Sequence, residues 1–215
     1  MRLQLALDEL TLDEAVGIIS ELRDLIDIVE IGTPLVIKEG LAAVAAVRKR
    51  FPQTTILADL KIMDGGSYES RIAFEAGADI VSVLALAHEV TIQAAVEQAV
   101  AHDGEIMIDL IGTDDTVAGV GRTEGLGADW VCVHTAADLT GKQALDSRSL
   151  GEAVAIARRC RVAVAGGINL DTVAELARYK PATLVVGSAI VKSRYRRQTA
   201  SRLREAALEA ERNME

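Results

Sequence analysis

Two carboxylates and an amine follow one apolar run at close spacing. The segment ILADLKIMDGG (56–66) begins like a buried strand and then carries Asp59, Lys61 and Asp64. Opposite charges within ~4–6 Å raise the pKa of a lysine by roughly 1–3 units, whereas an imine-forming lysine must be neutral. We therefore predict that Lys61 is a fixed cation able to stabilise a developing oxyanion; the alternative is a structural ion pair at a surface turn.

Further acidic side chains stand at the ends of other apolar runs, namely Asp8, Glu30 and Asp109. A single acid at such a place means little, because Asp is a common helix N-cap. Glu30 and Asp59, however, end successive runs, and their hard oxygen atoms suit Mg²⁺ or Mn²⁺. The sequence therefore predicts a magnesium or manganese site at these two residues. It contains no CxxC or HExxH spacing of the kind that zinc sites use.

One histidine alternates with a cysteine in the run DWVCVH (129–134). Cys132 and His134 could form half of a site for a soft metal, although such a cysteine is more often a small core residue. Imidazole titrates near neutral pH and can carry protons to and from a substrate. We expect His134 to be a proton-transfer group.

Glycine turns end the last two apolar runs, VAGGIN (164–169) and VVGSAI (185–190). One such turn is weak evidence, since glycine pairs also form ordinary turns. Two of them at neighbouring strands could bind a phosphate through backbone N–H groups. The residues that would do so are Gly166, Gly167, Gly187 and Ser188. A phosphorylated small molecule is the substrate that this pattern favours.

Eight short apolar runs alternate with amphipathic stretches along the chain. They lie at 3–7, 27–31, 55–60, 79–84, 105–110, 129–134, 161–166 and 183–187. This alternation predicts parallel βαβ units, and eight of them in 215 residues predict an α/β fold, a single (β/α)₈ TIM barrel domain over residues 1–215. An open doubly wound sheet is less favoured, because ALDEL (6–10) stands where its glycine-rich fingerprint would follow the first strand. In a barrel the polar residues above meet at one rim.

Composition limits the classes of partner that the protein can bind. A formal charge of −9 argues against a nucleic-acid partner. A membrane span is not expected, because the sequence has no apolar stretch of about 18 residues. The basic segment 192–204 is an exception, interpreted as a solvated helix face or as a contact with an anionic ligand or another subunit. Cys132 and Cys160 lie in different predicted elements and no signal-peptide pattern is seen, so a reducing cytoplasm is expected.

The same segments carry a resemblance to a known family. They are LQLALD (3–8), DIVEIGTPL (27–35), LADLKIMDGG (57–66), GADIVSVLA (77–85), IDLIGTDD (108–115), VCVHT (131–135), VAGGI (164–168) and VVGSAI (185–190). Together they resemble the 3-hexulose-6-phosphate synthase family, within the orotidine 5′-monophosphate decarboxylase suprafamily of barrels. The spacing Asp-x-Lys-x-x-Asp at 59–64 is the suprafamily signature, and EIGTP and VHT narrow it further.

The resemblance implies a role for each residue. Glu30 and Asp59 would surround an essential Mg²⁺, and Lys61 would lie beside an enediolate. Asp64 would reach the active site of a neighbouring subunit, which implies a homodimer, and His134 would transfer protons. Contacts to substrate hydroxyls and metal-bound water are implied for Asp8 and Asp109, and phosphate contacts for Gly166, Gly167, Gly187 and Ser188.

The implied reaction is a metal-dependent aldol addition. Formaldehyde would be captured by the enediolate of D-ribulose 5-phosphate, giving D-arabino-hex-3-ulose 6-phosphate. The alternative is the related 3-keto-L-gulonate 6-phosphate decarboxylase, which typically carries Glu where Asp109 stands and Arg where Ala137 stands. Ala136 and Ser188 depart from the glycines that are common in the synthases. A non-catalytic phosphosugar-binding protein would not need Asp59, Lys61, Asp64 and His134 together.

Overall fold

The chain forms a closed barrel of eight parallel strands in sequence order. A computed structural model describes residues 1–139 and 147–212, apart from the side chain of residue 211. The strands are β1 (Arg2–Leu7), β2 (Ile28–Ile31), β3 (Thr55–Ile62), β4 (Ile80–Leu84), β5 (Glu105–Asp109), β6 (Trp130–His134), β7 (Arg161–Ala165) and β8 (Thr183–Val186). β8 pairs with β1, for example Leu184 with Leu3, which closes the sheet.

Helices follow the strands around the outside. They are α1 (Leu12–Leu22), α2 (Thr33–Glu39), α3 (Ala42–Arg50), α4 (Gly66–Glu75), α5 (Glu89–Ala101), α6 (Thr116–Gly125), α7 (Ser147–Ile156), α8 (Val173–Ala177), α9 (Ser188–Val191) and α10 (Arg196–Arg212), with a 3₁₀ turn at Ala137–Leu139. No helix of the described ranges is both long and apolar enough to cross a membrane. The prediction of a (β/α)₈ barrel is confirmed; that one domain takes in all 215 residues stays a prediction.

Each predicted apolar run became a strand, with ends that differ by one or two residues. The runs are continuous rather than alternating because both faces of a barrel strand are buried. One face packs on the helices, and the other forms a smaller cluster inside the barrel that includes Ile28, Leu57 and Met107. At the amino-terminal end, Trp130 donates Nε1–H to Glu105 Oε2 at 2.7 Å and lies under the Arg161 guanidinium. Side chains therefore fill the interior at the amino-terminal end of the barrel.

The sequence-based expectation misses one helix after β2. The stretch 39–51 predicts an amphipathic helix, which α3 confirms, but the chain first forms α2, and the two helices are separated at Gly40. Gly40 has φ of +68°, a backbone conformation that favours glycine. Pro34 in the first turn of α2 was the available signal, because proline is favoured where a helix begins. α2 matters because it begins directly beside the rim.

The basic segment packs on the first helix. Arg197 forms a bidentate pair with Asp24, with N–O distances of 2.7 and 2.6 Å, and Arg196 lies 3.6 Å from Glu21. Arg204 pairs with Asp27 at 2.9 Å. These contacts dock α10 against α1 and the turn that follows it; α1 itself begins with a capping box of Thr11 and Glu14. Part of the basic charge is thus neutralised within the chain.

A carboxylate on α6 stabilises the turn before β7, and its removal should weaken the fold. Glu124 Oε1 accepts backbone N–H bonds from residues 158, 159 and 160 at 2.6, 2.6 and 3.1 Å. These donors, that of Arg159 first, lower the pKa of Glu124 from 4.5 to about 2. We expect Glu124→Gln to reduce the free energy of unfolding at pH 7 by about 1 kcal/mol.

The pH dependence of this effect has a definite sign. A lowered pKa stabilises the fold above the unfolded pKa, here 4.5, and that stabilisation is lost as the pH falls towards 2. Urea unfolding of wild type and Glu124→Gln from pH 7 to about pH 3 measures it. The difference should shrink across the acidic window; a difference that stayed constant would contradict the role of the charge.

Candidate active site

A cavity opens at the carboxyl ends of the strands. Its lining combines charged side chains with a small apolar floor. The lining residues are Gln4, Glu30, Leu57, Asp59, Lys61, Ser82, Met107, Asp109, Cys132, His134, Ala165 and Val185. Each of the strands β1 to β6 contributes a polar side chain to the lining, so the arrangement exists only once the barrel has closed.

Asp59 is the centre of a hydrogen-bond network at the cavity wall. Its Oδ2 lies 2.5 Å from Lys61 Nζ and accepts a bond from Thr33 Oγ1 at 2.8 Å. Its Oδ1 accepts a bond from Ser82 Oγ at 2.7 Å. The side chain of Asp59 is 8% exposed. The carboxylate is therefore fixed in one orientation by three donors.

Lys61 reaches the cavity through an irregularity in β3. The pairing of β3 with β4 shifts register between Ala58 and Ile62, and Lys61 has φ of +48°. Its N–H donates to Ser82 Oγ at 2.9 Å. Regular alternation would place Asp59 and Lys61 on one face of the strand. The register shift interrupts that alternation, and both side chains line the cavity. A positive φ costs a non-glycine residue about 1–3 kcal/mol, which is typical of functional sites.

The amine of Lys61 is an ammonium. Burial alone would lower its pKa, but the charges of Asp59 and Asp109 together raise it above the ordinary value. Asp109 Oδ2 lies 3.5 Å from Nζ. The local spacing had suggested Asp64 as the second carboxylate beside Lys61. In the structure that carboxylate is Asp109. Asp64 lies away from the lining, exposed, and accepts the N–H of Gly65 at 2.7 Å.

Asp109 also orients the histidine. His134 Nδ1 lies 2.8 Å from Asp109 Oδ2, while Oδ1 accepts the N–H of Ile111 at 2.9 Å. Burial would raise the pKa of Asp109, but the hydrogen bond and charge of His134, with Lys61, lower it overall. The carboxylate thus stays ionised between a fixed cation and an imidazole, which fixes the ring in the cavity.

Glu30 lies at the end of β2, next to Asp59 in the sheet. Gln4 Nε2 donates to Glu30 Oε2 at 2.6 Å, and no hydrogen-bond partner is found for Gln4 Oε1 among the described residues. Burial, and after it the charge of Asp59, raise the pKa of Glu30 to about 8. Burial and Asp59 therefore disfavour the charged form of Glu30, and Lys61 offsets this only in part.

A different set of possible metal ligands lines the same cavity. One ligand atom each of Asp109, Cys132 and His134 lie within 4.8 Å of one another. Burial and the charge of Asp109 raise the pKa of the Cys132 thiol well above its usual value. Cys160, the other free cysteine, is buried directly before β7 and is not among the residues that line the cavity.

Asp8 stands where two loops approach each other closely. A Cβ added at Gly32 would lie 2.0 Å from Asp8 Oδ1, and one at Gly187 would lie 3.4 Å from Oδ2. Gly32 therefore admits no side chain. Burial, then the charge of Asp59, raise the pKa of Asp8, while Lys61 lowers it. Asp8 is electrostatically coupled to the cavity although it is not part of its lining.

The glycine turns predicted to hold a phosphate end adjacent strands. Ala165 pairs with Val185, so the turns that follow β7 and β8 are neighbours. Gly166 has φ of +96°, and a Cβ there would lie 2.2 Å from Thr135 O; Gly167 has φ of +69°. Gly187 and Ser188 begin α9. The backbone of both turns is therefore close to the rim and free of bulky side chains.

Three contributors were not found from the sequence. Ser82 lies inside the apolar run DIVSVL (79–84). Thr33 is the first residue of α2, just after β2. Gln4 stands inside the first run, and it is 1% exposed. A polar residue inside a continuous apolar strand was the observation that could have identified Gln4 and Ser82, because buried polar groups need partners.

These features define a (β/α)₈ barrel with an acid–lysine–histidine cluster at the catalytic end of its strands. The chain belongs to the Orotidine 5'-phosphate decarboxylase / HUMPS family, which it matches over residues 1–203. This confirms the family resemblance found in the sequence.

Individual relatives agree with this assignment. The chain is 43% identical over 208 residues to 3-hexulose-6-phosphate synthase of Bacillus subtilis (strain 168), covering 95% of this chain and 98% of the relative. The crystal structure of 3-hexulose-6-phosphate synthase from Salmonella typhimurium has a TM-score of 0.94 at 40% identity, covering 98% of this chain and all of that one (100%). 3-Keto-L-gulonate-6-phosphate decarboxylase from Vibrio cholerae has a TM-score of 0.86 at 31% identity, with 97% of both chains covered.

Proposed function

We propose that this chain is an aldehyde-lyase that adds formaldehyde to D-ribulose 5-phosphate, giving D-arabino-hex-3-ulose 6-phosphate. The observation that carries the proposal is one cluster of side chains. Lys61 Nζ lies 2.5 Å from Asp59 Oδ2 and 3.5 Å from Asp109 Oδ2, and His134 Nδ1 lies 2.8 Å from the same Asp109 oxygen. An ammonium fixed by two carboxylates suits a reaction in which negative charge develops on substrate oxygen. Relatives named as the synthase, at 43% and 40% identity, support the same choice.

Each residue of the cluster has a distinct task in the proposed reaction. His134 carries the proton that leaves C1 of the sugar phosphate, because a neutral imidazole is the general base best matched to neutral pH. Lys61 stabilises the resulting enediolate oxygen, and Asp109 holds the imidazole ring in place. Since Lys61 remains charged, the enediolate forms without an imine.

A divalent cation fits beside this cluster. Glu30 and Asp59 would hold it, and the raised pKa of Glu30 supports this, because a cation would stabilise the carboxylate that burial and Asp59 disfavour. When bound, Mg²⁺ (or Mn²⁺) would act as a Lewis acid towards the substrate oxygen atoms. Both ligands offer only oxygen, which is the donor that these ions prefer.

The substrate phosphate and hydroxyls would bind around the cluster. Backbone N–H groups of Gly166, Gly167, Gly187 and Ser188 are the proposed phosphate ligands, supported by the adjacency of the two turns. Asp8 and Asp109 are the proposed contacts to substrate hydroxyls and to metal-bound water. Two buried free thiols within the described ranges support a reducing cytoplasm as the place of action.

A second candidate function is decarboxylation of 3-keto-L-gulonate 6-phosphate, which the 31% identity to the Vibrio cholerae decarboxylase favours. Two residues favour the synthase. The decarboxylase family typically carries Glu at the position of Asp109 and Arg at the position of Ala137. A longer Glu side chain would also change the 2.8 Å contact that Asp109 makes with His134.

We further propose a homodimer that places Asp64 in the partner's active site. Five apolar side chains in the segments that follow β3, β4 and β5 are 48% to 70% exposed: Met63, Tyr68, Leu86, Val90 and Val117. Asp64 lies in the first of these segments, between β3 and α4. Large exposed apolar groups that cluster in this way are typical of protein interfaces, and a second copy of the chain is the occupant that the role of Asp64 requires.

One assay separates the candidate functions. With Mg²⁺, D-ribulose 5-phosphate and formaldehyde, we expect the protein to consume formaldehyde, and chelation of the metal with EDTA should stop the loss. 3-Keto-L-gulonate 6-phosphate in a parallel reaction serves as the comparison, with release of CO₂ as its measure. Unchanged formaldehyde alongside CO₂ release would show the decarboxylase instead. If neither reaction is observed, the protein is a non-catalytic phosphosugar-binding protein.

A further inference from the structure

We propose that the cavity contains a second cation site, formed by Asp109, Cys132 and His134, which takes a thiophilic divalent ion such as Zn²⁺. One ligand atom of each residue lies within 4.8 Å of the others. Tetrahedral Zn²⁺ binds carboxylate, thiolate and imidazole at ~2.0–2.3 Å, so small side-chain rotations bring the three atoms to one ion. All three side chains line the open cavity, which leaves a fourth position for water.

The ligand set distinguishes this site from the proposed magnesium site. Glu30 and Asp59 offer oxygen only, whereas the second site adds sulfur and nitrogen, which select Zn²⁺, Cd²⁺ or Co²⁺ over Mg²⁺. Cys132 is protonated without a metal because its burial disfavours the thiolate. Binding therefore replaces the S–H bond by a metal–sulfur bond and releases one proton to solvent, while a neutral imidazole ring keeps its own proton on the other nitrogen.

The charges around the site decide whether a cation can enter. Lys61 opposes it, since its amine lies 3.5 Å from Asp109. That amine is closer to Asp59, at 2.5 Å. The carboxylates of Asp59 and Asp109 together outnumber the one lysine among the lining residues, so the cavity attracts cations despite Lys61.

Occupancy would inhibit the enzyme, a consequence that rests on the proposed function. An ion on His134 and Asp109 removes the proton carrier and its orienting group from the reaction. Added Mg²⁺ would not reverse the inhibition, because Mg²⁺ competes poorly for a thiolate.

Co²⁺ titration of the full-length protein tests the site without reference to activity. Bound to Cys132, Co²⁺ should give a thiolate-to-metal charge-transfer band in the near ultraviolet and the strong visible bands of a tetrahedral ion. Cys132→Ser should abolish the near-ultraviolet band and weaken Zn²⁺ binding in a competition assay at least ~10-fold. Cys160→Ser is the matched control and should keep the band, because Cys160 lies outside the cavity.

The outcomes are distinct. Co²⁺ that binds without a thiolate band, or a band that survives in Cys132→Ser, overturns the proposal. If Cys132→Ser does not fold, X-ray absorption of the Zn²⁺-loaded wild type decides, since a zinc–sulfur distance of ~2.3 Å is required. A correct spectrum in a protein that does not consume formaldehyde would uphold the site and reject the proposed function, so the two failures can be told apart.

Discussion

Asp59→Asn should abolish aldol addition while leaving the barrel intact. The substitution keeps the size of the side chain and its contact with Ser82, but it removes the charge that lies 2.5 Å from Lys61. An amide also places N–H atoms where Thr33 and Lys61 both donate. We expect kcat to fall at least about 100-fold, since the preorganised charge of the cluster is lost.

The same variant tests the metal. Asn is a weaker ligand than a carboxylate, so the Mg²⁺ concentration for half-maximal activity should rise at least ~10-fold. Formaldehyde consumption measured against Mg²⁺ concentration gives both quantities, and a thermal unfolding curve shows whether the fold survives. Asp103→Asn is a suitable control, because Asp103 is exposed in the turn after α5 and its positive φ suits Asn. Full activity of Asp59→Asn with an unchanged Mg²⁺ requirement would refute the metal role.

The barrel was predictable because its signal is local. Each strand had to be apolar on both faces, and each helix had to show its own periodicity, so eight repeats were visible without knowledge of any contact. The capping box of Thr11 and Glu14 was visible for the same reason, since both partners lie within one turn. α2 was missed because a glycine break at Gly40 leaves a helix of 7 residues, too short for a clear pattern.

The site was only partly predictable because its contacts are not local. Spacing alone placed Lys61 between Asp59 and Asp64, but Asp64 lies beyond the end of β3 and is not among the residues that line the cavity. Asp109, 48 residues after Lys61 in the chain, takes that place once β5 pairs with β4. Ser82 escaped notice in the same way, because its role depends on a register shift that no sequence period records.

The position of Asp64 turns this discrepancy into the sharpest test of the proposed dimer. Asp64 carries no contact with Lys61 of its own chain. If it serves the neighbour's cavity, Asp64→Asn and Lys61→Gln should each be inactive as separate homodimers. Mixing them through a cycle of mild denaturation and refolding should restore activity, because a mixed dimer joins one intact Lys61 to one intact Asp64.

The size of the recovery is fixed by symmetry. Random pairing of two chains in equal amounts makes about half of the dimers mixed, and each mixed dimer has one complete site of two, so about one quarter of wild-type activity should return. Sedimentation of each variant shows whether it still forms dimers, and Asp59→Asn mixed with Lys61→Gln is the control, because both changes damage the cavity of their own chain and nothing should be regained. Activity that returned in the control mixture would point to an exchange artefact. Dimers that form and exchange in the first mixture without any recovery would instead place Asp64 outside the neighbouring site.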